Sequence, residues 1–281
     1  MDGILLVNKP KGISSHDVVF KVKKALNTKK VGHCGTLDPN ASGVLVLGIN
    51  KGTKLLQFLV SDQKKYLATL VLGESRDTYD SEGTIISQKP YLNDLNEIMV
   101  LDVLKQFLGK QKQKPPIYSA IKVKGKKLYE YARNNEEVEI KERVIEIFDL
   151  SLISLIDNQV IINTHCSKGT YIRSLVVDIA EKLDYPGYLS ELVRTQSGSF
   201  KLEDCYSLED IENQKFKLIN MSKALSFMPH LIIEDENIVY HGKYINSNIN
   251  QQVAIYNQEN KLLAVYEPTG TGKLKSVRGL W

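Results

Sequence analysis

Cysteine is scarce in this chain. The 281 residues hold three, Cys34, Cys166 and Cys205, far apart and without a CxxC pair. Such a set builds neither a disulfide framework nor a zinc site, and it fits a reducing cytosol, so a cytoplasmic location is expected. Histidine is nearly as sparse: His16, His33, His165, His230 and His241 show no pairing at metal-ligand spacing, and no metal or cofactor is expected. His165 and Cys166 are adjacent, which in a strand sends them to opposite faces, so nothing favours a Cys–His nucleophile. Long apolar runs are missing as well. Residues 4–7 are too short for a signal peptide and stop at Asn8-Lys9-Pro10, and no stretch approaches membrane-spanning length. A phosphate-binding loop is also lacking. The stretch from Pro268 to Lys273 has Glu267 where the leading glycine belongs, and Leu274 where Ser or Thr should follow the lysine. Internal repeats and low-complexity tracts are absent.

What remains is the composition of an ordinary globular protein, 42% hydrophobic and 25% charged, long enough for one large domain or two unequal ones. The net charge of +4 is mild, but its distribution is uneven. Eight lysines and no acid lie between Lys105 and Tyr129, and seven lysines and one acid, Asp17, between Lys9 and His33. A basic N-terminal half suits a polyanion on one face; on charge alone, solvated lysine-rich helix faces fit as well.

Residues 4–7 read as a strand, and Ser14 or Ser15 caps a helix carrying Val18, Val19, Val22, Ala25 and Leu26. Residues 44–49 read as a buried strand, 53–60 as a helix and 64–73 as a strand. Residues 74–83 read as a polar loop, 93–108 as a helix and 110–116 as a basic linker. Residues 117–123 read as a strand and 127–133 as a short helix. Two strands over 144–156 and 160–166 meet at Asp157-Asn158, and 170–183 is an amphipathic helix. From about residue 226 the chain changes to short β-prone runs separated by Asn, Gly and Pro. The expected division is therefore 1–225 and a small β-rich appendage, 226–281.

The stretch His33-Cys-Gly-Thr-Leu-Asp38-Pro-Asn-Ala-Ser-Gly43 sets one carboxylate among small, turn-forming residues, ahead of a rigid strand. Pro39 turns Asp38 away from helical geometry. An Asp-Pro turn is the plain reading; a reacting acid on a constrained loop is the other. The sequence offers only one carboxylate in such a setting.

This stretch resembles the catalytic motif of the TruB-type tRNA pseudouridine synthases. Further segments match in the expected order. They are Asn8-Lys9-Pro10-Lys11-Gly12-Ile13-Ser14-Ser15, Lys65-Tyr66, PPIYSAIKVKGKKLYEYAR over residues 115–133, CSKGTYIR over 166–173 and, loosely, LVRTQSG over 192–198. The likeness spans about residues 3–200. Asn40 and Val193 depart from the usual pattern. The resemblance implies an α/β (α+β) fold with a mixed, largely antiparallel sheet flanked by helices and a PUA-like C-terminal appendage. It implies isomerisation of a T-loop uridine, position 55, after the base leaves its stack. By the same likeness, Asp38 matches the essential catalytic acid and Tyr66 the tyrosine that stacks on the target ring. Tyr171 and Arg173 match the pair lining the pocket, with Arg173 ion-paired to Asp38. His33 matches an RNA-contacting histidine and Leu192 an apolar pocket residue. Lys9, Lys122 and Lys124 are candidate substrate contacts, although Lys9 and Pro10 equally suit a role in shaping the turn. The implied partner is the tRNA T-stem-loop, with no obligatory protein partner. Two rivals stand beside this reading: an RNA-binding or RNA-folding protein with little or no catalysis, and a guide-RNA-dependent synthase of the dyskerin type. The start of the chain, almost directly at the first strand, favours the stand-alone enzyme over the second.

Overall fold

In the computed structural model, which describes residues 1–60 and 63–281, the opening apolar run becomes strand β1 (Gly3–Lys9), followed by helix α1 (Ser15–Ala25). Ser14 is the cap. Its Oγ accepts the Asp17 N–H at 3.1 Å, and the Asp17 carboxylate accepts the Ser14 N–H at 2.9 Å. This reciprocal pair satisfies donors that a first helical turn leaves free. Strands β2 (Val31–Cys34), β3 (Ala41–Ile49) and β4 (Gln63–Leu72) come next, then a hairpin of β5 (Glu74–Arg76) and β6 (Ile85–Gln88). Helix α2 (Glu97–Lys105) leads to β7 (Gly109–Gln113), the small hairpin of β8 (Lys122–Val123) and β9 (Lys126–Lys127), and helix α3 (Leu128–Arg133). The long hairpin of β10 (Arg143–Ile156) and β11 (Gln159–Ser167) precedes helix α4 (Ile172–Lys182), β12 (Gly187–Ser197) and β13 (Phe200–Lys201).

These strands form one mixed sheet in the order β1-β3-β12-β4-β11-β10-β7, with β2 beside β3 and β13 beside β12. Within this sheet, among the described residues, the β12–β3 strand pairing is parallel and the other strand pairings are antiparallel. Helix α4 packs on β12 and β4, and its Leu175, Val176 and Ile179 share one core with Leu70, Leu72, Val160 and Ile162 of β4 and β11. Each such side chain contributes about 1.5–3 kcal/mol on full burial. Helix α1 covers the other end through Val18, Val19 and Val22, against Leu5, Val7, Leu45 and Leu47.

The connecting helices α5 (Leu208–Glu212) and α6 (Met221–Ala224) lead to β14 (His230–Ile233), α7 (Asn237–Tyr240), β15 (Ile245–Asn246), β16 (Val253–Asn257), β17 (Leu262–Pro268) and β18 (Lys273–Gly279). These five strands make a second sheet, ordered β14-β16-β17-β18-β15. It shares a core with the first: Ala254, Leu262 and Val265 pack with Ile4, Leu6, Val44 and Val46. Strands β1 and β3 are thus buried on both faces, by α1 on one and the C-terminal sheet on the other.

Several segments differ from the sequence reading. Residues 53–60 are not a helix; a 3-10 stretch, Asn50–Leu55, turns the chain instead. It presses so close to β1 that a Cβ on Gly52 would sit 2.0 Å from the Gly3 carbonyl oxygen. Within 117–123 only Lys122–Val123 is strand; Ser119 and Ala120 line the pocket described below, and the Tyr118 carbonyl accepts from Arg173. The polar loop from residue 74 opens with β5, and the basic linker contains β7, an edge strand whose lysines face solvent. Strand β12, central to the sheet, has no counterpart in the sequence reading.

Candidate active site

Asp38 sits on the loop between β2 and β3, and buried groups hold that loop from below. Ser15, at the start of α1, brackets Leu37: its hydroxyl donates to the Leu37 carbonyl at 3.0 Å and accepts the Leu37 N–H at 2.9 Å. Lys9 is fully buried. Its ammonium donates to the carbonyls of Pro10 at 2.9 Å, Pro39 at 3.0 Å and Ala41 at 2.7 Å. Three acceptors match its three N–H donors. Burial pulls its pKa down to about 8, which leaves it charged at neutral pH. Lys9 therefore belongs beneath the loop and not against a substrate, which corrects its assignment as a substrate contact.

Arg173 reaches Asp38 from the first turn of α4. Its Nε lies 3.0 Å from Asp38 Oδ2, in a side chain 6% exposed, while the carboxylate side chain is 45% exposed. The Nε–H is not aligned on that oxygen, so the contact is an ion pair and not a directed hydrogen bond. The guanidinium also donates to the carbonyls of Thr78 and Tyr118, each at 2.9 Å. A positive charge at a helix start runs against the helix dipole, so its acidic partners matter. There are two. Asp80 lies 3.5 Å from Arg173 Nη1, and its own Oδ1 is taken up by the Thr78 hydroxyl at 2.6 Å and the Glu82 N–H at 3.1 Å. The sequence reading missed this second carboxylate, on a loop whose polar composition gave no sign of burial. Of the two acids, Asp38 is the one open to solvent.

A pocket of about 570 Å³ opens at Asp38, lined by Tyr66, Tyr171, Arg173, Leu192 and Arg194 among others. Tyr66 comes from β4 and is 7% exposed; burial pushes its hydroxyl up to about 12, so it keeps its proton. Tyr171 precedes α4, and burial raises its hydroxyl too. Its backbone is clamped by Gln113 of β7, which accepts the Tyr171 N–H at 2.8 Å and donates to the Tyr171 carbonyl at 3.0 Å. Leu192 stands on β12. The structure thus brings together five of the residues singled out from the sequence: Asp38, Tyr66, Tyr171, Arg173 and Leu192. It does not place His33, Lys122 or Lys124 in the lining. His33 lies on β2, partly buried, its pKa lowered by that burial. Lys122 and Lys124 are exposed on the β8–β9 hairpin, Lys124 in its turn with φ 49°. Asn40 makes a long contact of 3.4 Å with the Ser81 hydroxyl. Cys166, next to the pocket strand, is buried and its thiol is pushed up to about 11, which suits packing and not nucleophilic attack. Among the described residues no group of His, Cys, Asp and Glu is arranged to hold a metal, and no helix is long and apolar enough to cross a membrane.

One open carboxylate, an arginine fixed beside it and two tyrosines share the wall of one pocket, and a carboxylate so placed is the kind of group that nucleophilic or electrostatic catalysis uses. The comparisons with known proteins name its kind. The profile of the TruB family pseudouridylate synthase N-terminal domain matches residues 23–172, and that of the tRNA pseudouridylate synthase B C-terminal domain matches 173–227. The tRNA pseudouridine synthase B of Bacillus subtilis (strain 168) is 39% identical, with 100% of this chain and 98% of that protein covered. That of Mesoplasma florum is 41% identical, covering 99% and 97%. A chain in the crystal structure of a Cbf5–Nop10–Gar1 complex superimposes with a TM-score of 0.76 at 26% identity, covering 99% of this chain and 85% of its own. The chain belongs to the TruB family of pseudouridylate synthases, and it is an isomerase, not a pure RNA-binding module.

Proposed function

We propose that this protein converts one uridine of tRNA, position 55 in the T-loop, to pseudouridine, with Asp38 as the essential catalytic residue. The observation that carries the reading is the half-exposed Asp38 carboxylate, 3.0 Å from a buried arginine and on the wall of a pocket with two tyrosines. The reaction breaks the bond from C1′ to N1 and makes one from C1′ to C5; the proton on C5 is lost and N1 gains one. No electrons are exchanged. One carboxylate suffices, as nucleophile or as electrostatic partner of a developing cation, whereas most glycoside hydrolases need two acids flanking the bond. Arg173 keeps Asp38 in place, Tyr66 and Tyr171 offer faces for the extruded base, and Leu192 closes the wall. His33 is assigned to RNA at the vacated position, and Lys122 and Lys124 to phosphates.

Residues 1–225 form the synthase body in this reading. Residues 226–281, which include the second sheet from β14 onward, extend the RNA-binding face. The relatives at 39% and 41% identity carry tRNA in their names and match over nearly their whole length, which supports tRNA over a guide-dependent substrate. The test is direct. Purified protein is incubated with unmodified tRNA, without guide RNA, metal or cofactor, and pseudouridine is mapped by chemical labelling. Modification at position 55 is expected. Modification elsewhere, or none without a guide RNA, would overturn the reading.

A further inference from the structure

Arg194 is the bulkiest fully buried side chain among the described residues, 1% exposed. It donates to the backbone carbonyls of Val44 at 2.8 Å, Gly35 at 2.7 Å and, at 3.5 Å, Thr36, and its side chain also hydrogen-bonds the Tyr66 hydroxyl. Among the described residues no carboxylate forms an ion pair with it, in contrast to Arg173. A buried charge without a counter-charge is costly, and carbonyl partners satisfy its hydrogen bonds without cancelling it. A structural arginine in such a place invites replacement by a neutral side chain. Its position suggests why the charge stands there. Arg194 is the direct cross-strand partner of Tyr66 in the β12–β4 pairing and of Gly43 in the β12–β3 pairing. Cross-strand partners share a face of the sheet. Gly43 is required at that point: a Cβ there would come 2.3 Å from the Arg194 carbonyl oxygen. Arg194 and Lys9 together grip the carbonyls at residues 35, 36, 39, 41 and 44, on both sides of Asp38.

We propose that Arg194 is a positioning residue for the isomerisation, fixing the Asp38 loop and turning the Tyr66 hydroxyl into a hydrogen-bond donor toward a carbonyl oxygen of the bound uracil. This rests on the function proposed above. A guanidinium offers donors and no acceptor. The Tyr66 oxygen facing it must accept, and its own proton is then free to point into the pocket. Burial keeps that proton on the oxygen at neutral pH. A donor is what the chemistry needs there. When the C1′–N1 bond breaks, its electron pair stays with the base and spreads onto O2 and O4. If Asp38 instead adds to the base, negative charge gathers on O4. Either way a preorganised donor, backed by a fixed positive charge in a dry wall, stabilises the charge as it forms, in the manner of an oxyanion hole.

The test is a double-mutant cycle on single-turnover pseudouridine formation in unmodified tRNA, with Arg194→Lys, Tyr66→Phe and the pair. Lysine keeps the charge but loses the fork that grips the carbonyls and the hydroxyl. Each single variant is expected to slow the reaction by about 10²-fold, with tRNA binding close to wild type. The pair is expected to be no more than about 3-fold slower than Tyr66→Phe alone, because both changes break the same link. A double loss equal to the product of the single losses, or a wild-type rate for Arg194→Lys, overturns the proposal. Should Arg194→Lys not fold, Arg194→Gln takes its place in the same cycle. Asp38→Asn run alongside separates the two readings: if it is active, or the wild type forms no pseudouridine in tRNA, the proposed function fails, whereas an inactive Asp38→Asn with independent Arg194 and Tyr66 effects removes only this inference.

Discussion

The loop carrying Asp38 and the hairpin of β8 and β9 both hold several cationic groups, and they treat them in opposite ways. Around Asp38 the cations Lys9, Arg173 and Arg194 are 0%, 6% and 1% exposed, and their donors are committed to carbonyls or carboxylates at fixed distances. On the hairpin, Lys122 and Lys124 are exposed, and Lys126 and Lys127 lie over the rings of Tyr131 and Tyr129. Charges that steer a reaction need a dry, rigid setting, where they act at full strength and without reorganisation. Charges that recruit a polyanion work from solvent, where they release counterions and carry no geometric demand. The first kind is paid for in burial and the second is not.

The comparison breaks most sharply at Asp38. Asp38→Asn keeps the volume and removes the charge and the nucleophilicity. Turnover is expected to fall by several orders of magnitude, about what losing a central catalytic group costs, while tRNA binding persists through phosphate contacts. Single-turnover modification and filter binding measured together check both halves. A near-wild-type rate would end the catalytic role.

Two ion pairs differ in their burial. Arg173→Met strips Asp38 and Asp80 of their shared partner, and the carbonyls of Thr78 and Tyr118 of their donor. Breaking a buried pair costs about 3–5 kcal/mol, less on the half-exposed Asp38 side. Activity is expected to drop by about 10²-fold or more, with a lowered melting temperature. Lys126 also makes a short ion pair, at 2.6 Å to Glu136, but in side chains 29% and 46% exposed. Lys126→Ser is expected to change stability by only about 0–1 kcal/mol. Equal effects of the two changes on melting would contradict the distinction drawn from burial.

Lys9 gives a smaller effect with a definite sign. Lys9→Met leaves three carbonyls without their donor, at about 1–3 kcal/mol for each group that stays buried. In the folded protein Lys9 titrates near 8, below its ordinary 10.5. Below pH 8 the lysine is protonated in both states. Between 8 and 10.5 the unfolded chain binds the proton and the folded one does not, so its contribution to stability rises with pH across that window. Denaturant unfolding on both sides of pH 8 is expected to show the advantage of wild type over Lys9→Met growing as pH rises. An advantage that shrinks would mean that the three carbonyls hold the charge more firmly than burial opposes it.

The same contrast explains which parts were legible in the sequence. The Ser14 cap, the Asp157-Asn158 turn and the apolar faces of α1 and α4 announce themselves through local chemistry and period, and the structure has each of them. Strand β12 does not, because bulges between Leu189 and Glu191 and between Arg194 and Gln196 break its alternation, and its most buried side chain is an arginine. β7 has no apolar residue at all, yet its Gln113 sets the backbone of Tyr171. Around the pocket, five residues that stand in motifs, Asp38, Tyr66, Tyr171, Arg173 and Leu192, come together, whereas the places of Asp80, Gln113 and Arg194 beside Tyr66 depend on segments that meet only in the folded chain. Lys9 shows the reverse: a lysine at a motif reads equally as a substrate contact or as a shaper of the turn until its burial is known.

The hairpin supplies the smallest expected effect and the finest distinction. The turn residues Lys124 and Gly125 both have positive φ, 49° and 87°, as a two-residue hairpin loop of the primed type requires. That geometry exposes Lys122 and Lys124, while Lys126 is held by Glu136 on one side and the Tyr131 ring on the other. A lysine already neutralised by a carboxylate releases few counterions on meeting RNA. Lys122→Ser and Lys124→Ser are therefore each expected to lower the slope of log K against log salt by roughly 0.7–0.9, and Lys126→Ser to leave it nearly unchanged. None of the three should alter the single-turnover rate at saturation, because none lines the pocket. The measurement is tRNA binding across a salt series for the three single variants. If Lys126→Ser shifts the slope as much as Lys122→Ser, the carboxylate does not reserve that lysine, and exposure alone decides which charges meet the phosphates. If neither Lys122→Ser nor Lys124→Ser shifts it, the hairpin is a solvated face and tRNA is held elsewhere on the protein.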